Sequence, residues 1–283
     1  MTRTDCHVHI VAEAADMPMV ANRAYTPSRA SLATLRDAAR PVGVGRFVVV
    51  QPSFYGTNNR VTLQALDMLG SGGCGVAVID PVAITPYDLA DMNHRGIRGL
   101  RLNLYSTLAA QDPQALDAEF GALAIVAAHM GWHVELLANL DVLARNEAML
   151  SGSAVPVVID HYGLYAGHVP PGAAGATLLG LLRQPHVWVK LSAPYRSEPN
   201  PLATRADPGW VAALLGAGKD RCVWGSDWPH TPPHELQTGR GVPLPYRSLP
   251  YKDVVAGFTA AVDDGPTADA ILAANPARLY GFE

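Results

Sequence analysis

Residues 4–10 read T-D-C-H-V-H-I, a short β-rich run that carries two histidines two residues apart. Residues i and i+2 of a strand share a face, so His7 and His9 are expected side by side, with Cys6 and Val8 turned the other way. Two adjacent imidazoles suit a metal ion or a substrate oxygen that must be polarised. The plainer alternative is a pair of satisfied polar residues at a strand end. The fold follows from what this run begins: R-F-V-V-V-Q (46–51), G-V-A-V-I-D (75–80), G-L-R-L-N-L (99–104) and H-V-E-L-L-A (133–138) come next. V-P-V-V-I-D-H (155–161), V-W-V-K-L-S (187–192) and C-V-W-G-S-D-W (222–228) bring the total to eight.

Helix-like stretches lie between these runs, among them Ser31–Ala39, Arg60–Leu69, Pro86–His94, Gln114–Met130 and Leu140–Leu150. Continuous apolar strands alternating with helices mean a parallel sheet covered on its outer face. Eight units predict a (β/α)8 TIM-type barrel, one domain over residues 1–283. Six would have suggested an open doubly wound sheet, and no G-x-G-x-x-G follows the first strand. The Pro/Gly-rich stretches 165–175, 194–209 and 229–250 follow strands six, seven and eight, where βα loops build a barrel's active face.

The 283 residues, 49% hydrophobic and 16% charged, can fill a substantial core. Net charge is −4 and no lysine- or arginine-rich run occurs, which argues against a nucleic-acid partner. No apolar run approaches a membrane span, and no basic segment followed by an apolar one opens the chain. Cys6, Cys74 and Cys222 are too few and too scattered for a disulfide framework or a C-x-x-C motif. The expected setting is the cytoplasm, and the expected assembly a monomer or small homo-oligomer.

A barrel should gather its unusual polar residues at the C-terminal ends of its strands. His7 and His9 end strand one, and Arg101 and Asn103 share a face near the end of strand four. His161 ends strand six and Asp227 ends strand eight. A guanidinium at the mouth, such as Arg101, needs an anion or strong acceptors. Asp160 has the opposite parity to His161 and is expected to be structural; Arg98 is expected to face the helices. Glu135 and Lys190 are expected to pair deeper in the barrel. Asp227 could instead cap the next helix. The remaining seven histidines, 94, 129, 133, 168, 186, 230 and 234, are left aside, although His230 stands close enough to Asp227 to be a candidate for supporting it.

On this constellation the sequence resembles the amidohydrolase superfamily, in particular its amidohydrolase-related family 2 branch of pyrone-dicarboxylate and sugar-acid lactonases. The motifs that carry the resemblance run nearly the whole chain: D-C-H-V-H, Y-T-P (25–27), V-V-V-Q (48–51), G-I-R-G-L-R-L-N (96–103) and G-W-H-V (131–134). They continue with V-V-I-D-H-Y-G (157–163), V-W-V-K-L-S (187–192), V-W-G-S-D-W-P-H (223–230) and N-P-A-R-L-Y (275–280). The resemblance implies a catabolic lactonase acting on a small carboxylated or sugar-acid lactone. It makes Asp227 the base for the attacking water and sets His7, His9 and His161 around the carbonyl. Tyr25, Arg101 and Arg196 would hold the substrate, with Asn103 beside them.

The pattern also breaks. Thr107 stands where the pyrone-dicarboxylate lactonases have an arginine, Leu164 replaces another, and Leu137 replaces a strand-five tyrosine. A thinner cationic clamp predicts a less anionic lactone. The resemblance implies no strictly required cofactor. The residues themselves also admit one divalent metal such as zinc, held by His7, His9, His161 and Asp227. A zinc-dependent decarboxylase or hydratase acting on a carboxylated ring is the rival enzyme reading. A ligand-binding barrel without catalysis is the rival outside enzymology.

Overall fold

The computed structural model describes residues 1–13, 16–104, 113–166, 172–232 and 242–283. Thr107, His168 and His234 therefore lie outside the described residues. Eight parallel strands follow one another in chain order around a barrel: β1 Arg3–Val8, β2 Val44–Val50, β3 Gly73–Ala77, β4 Ile97–Asn103, β5 His133–Leu137, β6 Val157–Ile159, β7 Val187–Ser192 and β8 Cys222–Gly225. The circle closes just beyond β8, where Val8 bridges Trp228 in parallel. There His9 N donates to Trp228 O at 2.8 Å and Asp227 N to His7 O at 2.9 Å. This closure, which joins the first strand to the segment after the last, brings the first and last functional segments into contact.

Helices fill the crossovers much as the apolar spacing predicts. Leu32–Ala39 (α1) starts at Ser31, whose Oγ accepts from Thr34 N at 3.2 Å. Arg60–Leu69 (α2) and Pro86–His94 (α3) keep the predicted bounds, the latter behind a Thr85/Asp88 capping box. Such a cap contributes about 1 kcal/mol. Pro113–Met130 (α4) covers β4 and β5. The single helix expected over 140–150 is broken into Leu140–Arg145 (α5) and Glu147–Ser151 (α6). Asn146 causes the break: its Nδ2 donates to Val142 O at 2.8 Å, a local bond that competes with the helical ladder. Gly172–Leu182 (α7), Pro208–Gly218 (α8) and Tyr251–Val262 (α9) complete the outer layer, and Gly265–Asp269 (α10) leads to Asn275–Tyr280 (α11).

The core lies in two layers. Outward-facing strand residues such as Val49, Val157, Val189 and Leu191 pack against the helices. Inside, Val48, Val50, Val76, Val158, Trp188 and Val223 form a barrel floor, plugged by Tyr280 and Phe282 from the end of the chain. Each such fully buried Val or Leu contributes about 1.5–3 kcal/mol. Cys6 belongs to this inner floor, contrary to the alternation expected of β1. The β1–β2 register shifts between Asp5 and Val8, and Asp5 Oδ1 accepts from both His7 N (3.1 Å) and Ser226 N (2.8 Å). The irregularity lets Cys6 and His7 both serve the interior. All three cysteines are free and buried.

Candidate active site

The mouth of the barrel is built from residues that leave their strands in left-handed backbone. Among the described residues seven non-glycine positions have positive φ, and six of them lie after β6, β7 or β8: His161, Tyr162, Leu164, Ala193, Asp227 and His230. Such conformations cost about 1–3 kcal/mol each and persist where the surroundings hold them. They also explain a parity error. Asp160 continues the inward face of β6, its Oδ1 3.3 Å from His7 Nδ1. His161 reaches the interior only because its φ of 50° turns the chain. Asp160 is thus an interior group, and strand alternation stops one residue too early to place its neighbour.

Around this turn the predicted residues converge. Asp227 Oδ1 lies 3.3 Å from His9 Nε2 and 3.6 Å from His7 Nε2. The rings of His7 and His161 are 4.7 Å apart. Gly225 makes room for this, since a Cβ there would come within 2.6 Å of His7 Cβ. His9 Nδ1 donates to Val50 O at 2.8 Å, a carbonyl that can only accept, so its Nε2 is the nitrogen turned to Asp227. His161 Nδ1 pairs with Ser192 Oγ at 2.8 Å. The nitrogens His7 Nε2 and His161 Nε2 are buried with no hydrogen-bond partner among the described residues.

Asp227 is fully buried, not the exposed rim residue its position in a loop suggests, and its carboxylate does not cap a helix. Its other oxygen, Oδ2, accepts from Tyr195 OH at 2.7 Å and from Arg196 Nε at 2.9 Å. Burial alone would raise its pKa; Arg196, His161, His9 and His7 together overcome that and hold it well below the usual carboxylate range. Burial keeps His7 and His161 well below the ordinary imidazole range, so both rings stay neutral near pH 7. Tyr195 carries no strand or helix periodicity to mark it, and its role at Asp227 is visible only in three dimensions.

Above the imidazoles, His9, Tyr25, Phe54, Arg101, Asn103, Leu137 and Arg196 line one cavity. Tyr25 is brought there by a short parallel pairing of Thr26–Pro27 with Pro243–Leu244. Arg101 Nη1 donates to Gln51 O at 3.0 Å, and its Nε is buried with no partner among the described residues. Leu164 sits half-buried at the edge of this turn, and Leu137 adds an apolar wall. His94, His129 and His186 take no part in the cavity. His133 lies in the barrel against Tyr280, ring centroids 5.4 Å apart, below the site. Arg98 donates to Asn93 O and faces away from the cavity, as its parity predicts.

His7, His161 and Asp227 offer ligand atoms that all lie within 4.8 Å of one another, and each of the three is buried. By position these three admit one divalent ion. His9 stands beside this trio, 3.3 Å from Asp227 Oδ1, rather than within it.

A parallel eight-stranded barrel with three imidazoles and one carboxylate at the C-terminal ends of its strands defines a hydrolase-type site of the metal-dependent-hydrolase class. Comparison with known proteins agrees. The amidohydrolase family profile matches residues 4–282, and the chain belongs to that family. Among characterised relatives it is 28% identical to a 4-sulfomuconolactone hydrolase of Rhizobium radiobacter, over 98% of this chain and 89% of that protein. It is also 28% identical to a 2-pyrone-4,6-dicarboxylate hydrolase of Comamonas testosteroni, over the same shares. A solved structure from Pseudomonas putida, named as a candidate 2-pyrone-4,6-dicarboxylic acid hydrolase, superposes with a TM-score of 0.80 at 32% identity, covering 100% of this chain and 98% of that one.

Proposed function

We propose that this protein is a lactonase, opening the ring of a small carboxylated or sugar-acid lactone by attack of water. The observation that carries the reading is the split environment of Asp227. Oδ2 is held by Tyr195 and Arg196, while Oδ1 is turned to the imidazoles and has no hydrogen-bond partner among the described residues. A carboxylate fixed on one side and free on the other can orient a water and accept its proton. The lactone carbonyl sits among His7, His9 and His161, where the unpartnered Nε2 positions of His7 and His161 can present N–H groups to the oxyanion as charge develops. Arg101 and Tyr25 hold the remainder of the substrate, with Asn103 on the same face as Arg101. Proton return to the ring oxygen completes opening to the hydroxy acid.

The substrate carries fewer negative charges than pyrone dicarboxylate. Leu137 gives the cavity wall no charge, Leu164 adds none at the turn after β6, and the guanidinium of Arg196 is already committed to Asp227. Arg101 is then the cation best placed for one carboxylate. If an ion is bound, His7, His161 and Asp227 would hold it, with His9 adjacent, and it would polarise the carbonyl. That same trio is what favours the second reading, a zinc-dependent decarboxylase or hydratase. No helix among the described residues is long and apolar enough to cross a membrane, which fits a small-molecule enzyme of the cytoplasm.

The test is a panel of neutral, mono-anionic and di-anionic lactones, each assayed with and without exhaustive chelation. Ring opening of any lactone class supports the proposal. Absence of lactone turnover with a zinc-dependent loss of carbon dioxide from a carboxylated ring would replace it.

A further inference from the structure

Beneath His7 lies a cluster of ionisable groups that the hydrolysis above does not use. Lys190, Glu135 and Asp160 are each fully buried. Lys190 Nζ is 3.1 Å from His7 Nδ1 and 3.5 Å from Asp160 Oδ1, and it donates to Glu135 Oε2 in a close contact. His7, Glu135 and Asp160 place their ligand atoms within 4.8 Å of one another, as a cation site does. The ammonium of Lys190 touches all three and supplies the cation there. It has three protons and no lone pair; it donates to His7 Nδ1 and Glu135 Oε2, with Asp160 Oδ1 in ion-pair range.

We infer that Lys190 is a positioning residue that sets the tautomer of His7, keeping Nδ1 bare and the ring proton on Nε2, toward Asp227. The nearest polar atom to Nδ1 is the Lys190 nitrogen, closer than Asp160 Oδ1 at 3.3 Å or Glu135 Oε1 at 3.6 Å. A proton on Nδ1 would point N–H against N–H, whether the ring is neutral or doubly protonated. With Nδ1 occupied as an acceptor, Nε2 carries the proton. His7 then presents a donor to the site, not a lone pair.

That distinction decides what the site accepts. A donor at Nε2 stabilises an oxyanion, whereas a metal ligand needs the bare nitrogen that Lys190 has assigned to the other side of the ring. An ion held by His7, His161 and Asp227 would first have to displace the Nε2 proton. The oxyanion role rests on the lactonase reading, but the tautomer belongs to the resting protein and is tested without any substrate.

Nitrogen-15 NMR of the full-length protein labelled in histidine reads the tautomer directly, with His7 assigned by the signals lost in His7→Gln. The expected spectrum has a protonated Nε2 and a bare, acceptor-type Nδ1. A protonated Nδ1 would overturn the inference. The double variant Lys190→Met with Glu135→Gln removes both charges of the pair together. In it the proton should move to Nδ1, facing Asp160, and zinc titrated calorimetrically should bind at least tenfold tighter than to the unaltered protein. A folded double variant with unchanged tautomer and unchanged zinc affinity would also overturn it. Should that variant not fold, the spectrum of the unaltered protein decides alone.

Discussion

Arg196 holds Asp227 by a two-nitrogen clasp, Nε and Nη2 both 2.9 Å from Oδ2, while Oδ1 stays turned to His9. The clasp fixes which oxygen serves chemistry. Because Asp227 is fully buried and Arg196 nearly so, it also ties the reaction to the stability of the barrel mouth.

Asp227→Asn preserves size but removes basicity, and kcat is expected to fall by roughly 10²–10⁴-fold. The variant should also lose stability, because Arg196 would keep a buried charge with no anion opposite it; breaking such a pair costs up to about 3–5 kcal/mol. Steady-state rates and a melting curve on one preparation check both. Near-normal turnover would remove Asp227 from the mechanism.

Arg101→Met tests the substrate side. A hydrogen bond to a charged group contributes about 1.5–3 kcal/mol, so KM for a carboxylated lactone should rise roughly 10–100-fold with a smaller change in kcat. A neutral lactone should be nearly indifferent. If both substrates weaken alike, Arg101 supports the cavity wall through Gln51 and does not read charge.

Across substrates, kcat/KM for pyrone dicarboxylate should lie below that for a mono-anionic or neutral lactone of similar size. The reason is Leu164 in place of a cation; Thr107, the other uncharged replacement, stands outside the described residues. Efficient turnover of the dianion would mean that Arg196 leaves Asp227 to bind substrate.

Acid should destabilise the fold partly through His230. Its ring is buried, and burial pushes its pKa down to about 4. The unfolded chain binds a proton near pH 6.5 that the folded chain refuses until about pH 4. The stabilisation is therefore complete above pH 6.5 and is lost as pH falls from there toward 4, to a total of about 3 kcal/mol. His7 and His161 act in the same direction and remain in a His230→Gln variant. Between pH 7.5 and 5, the unaltered protein should lose more melting temperature than that variant. Equal losses would show that His230 titrates normally.

Much of this was legible in the linear chain. Eight apolar runs separated by amphipathic stretches leave little choice but a barrel, since each parallel strand needs a covering crossover. Because the strands run parallel, their C-terminal ends share one rim, and His7, His9, His161, Arg101 and Asp227 could be assigned to it from their places in those runs. Strand parity was enough for Arg98 and for the Lys190–Glu135 pair, which sit inside regular β-structure.

Parity failed where the backbone left the strand. The shift in β1 brought Cys6 to the floor beside His7, and the left-handed turn at His161 let Asp160 and His161 face inward together. Tyr195 and the burial of Asp227 were equally hidden, since both lie in loops where no period relates position to direction. Alternation is a property of repeated φ/ψ values, and these residues break the repetition. Which oxygen of Asp227 is held, and which nitrogen of His7 meets Lys190, depends on contacts between segments far apart in the chain. Those contacts exist only once the barrel has closed.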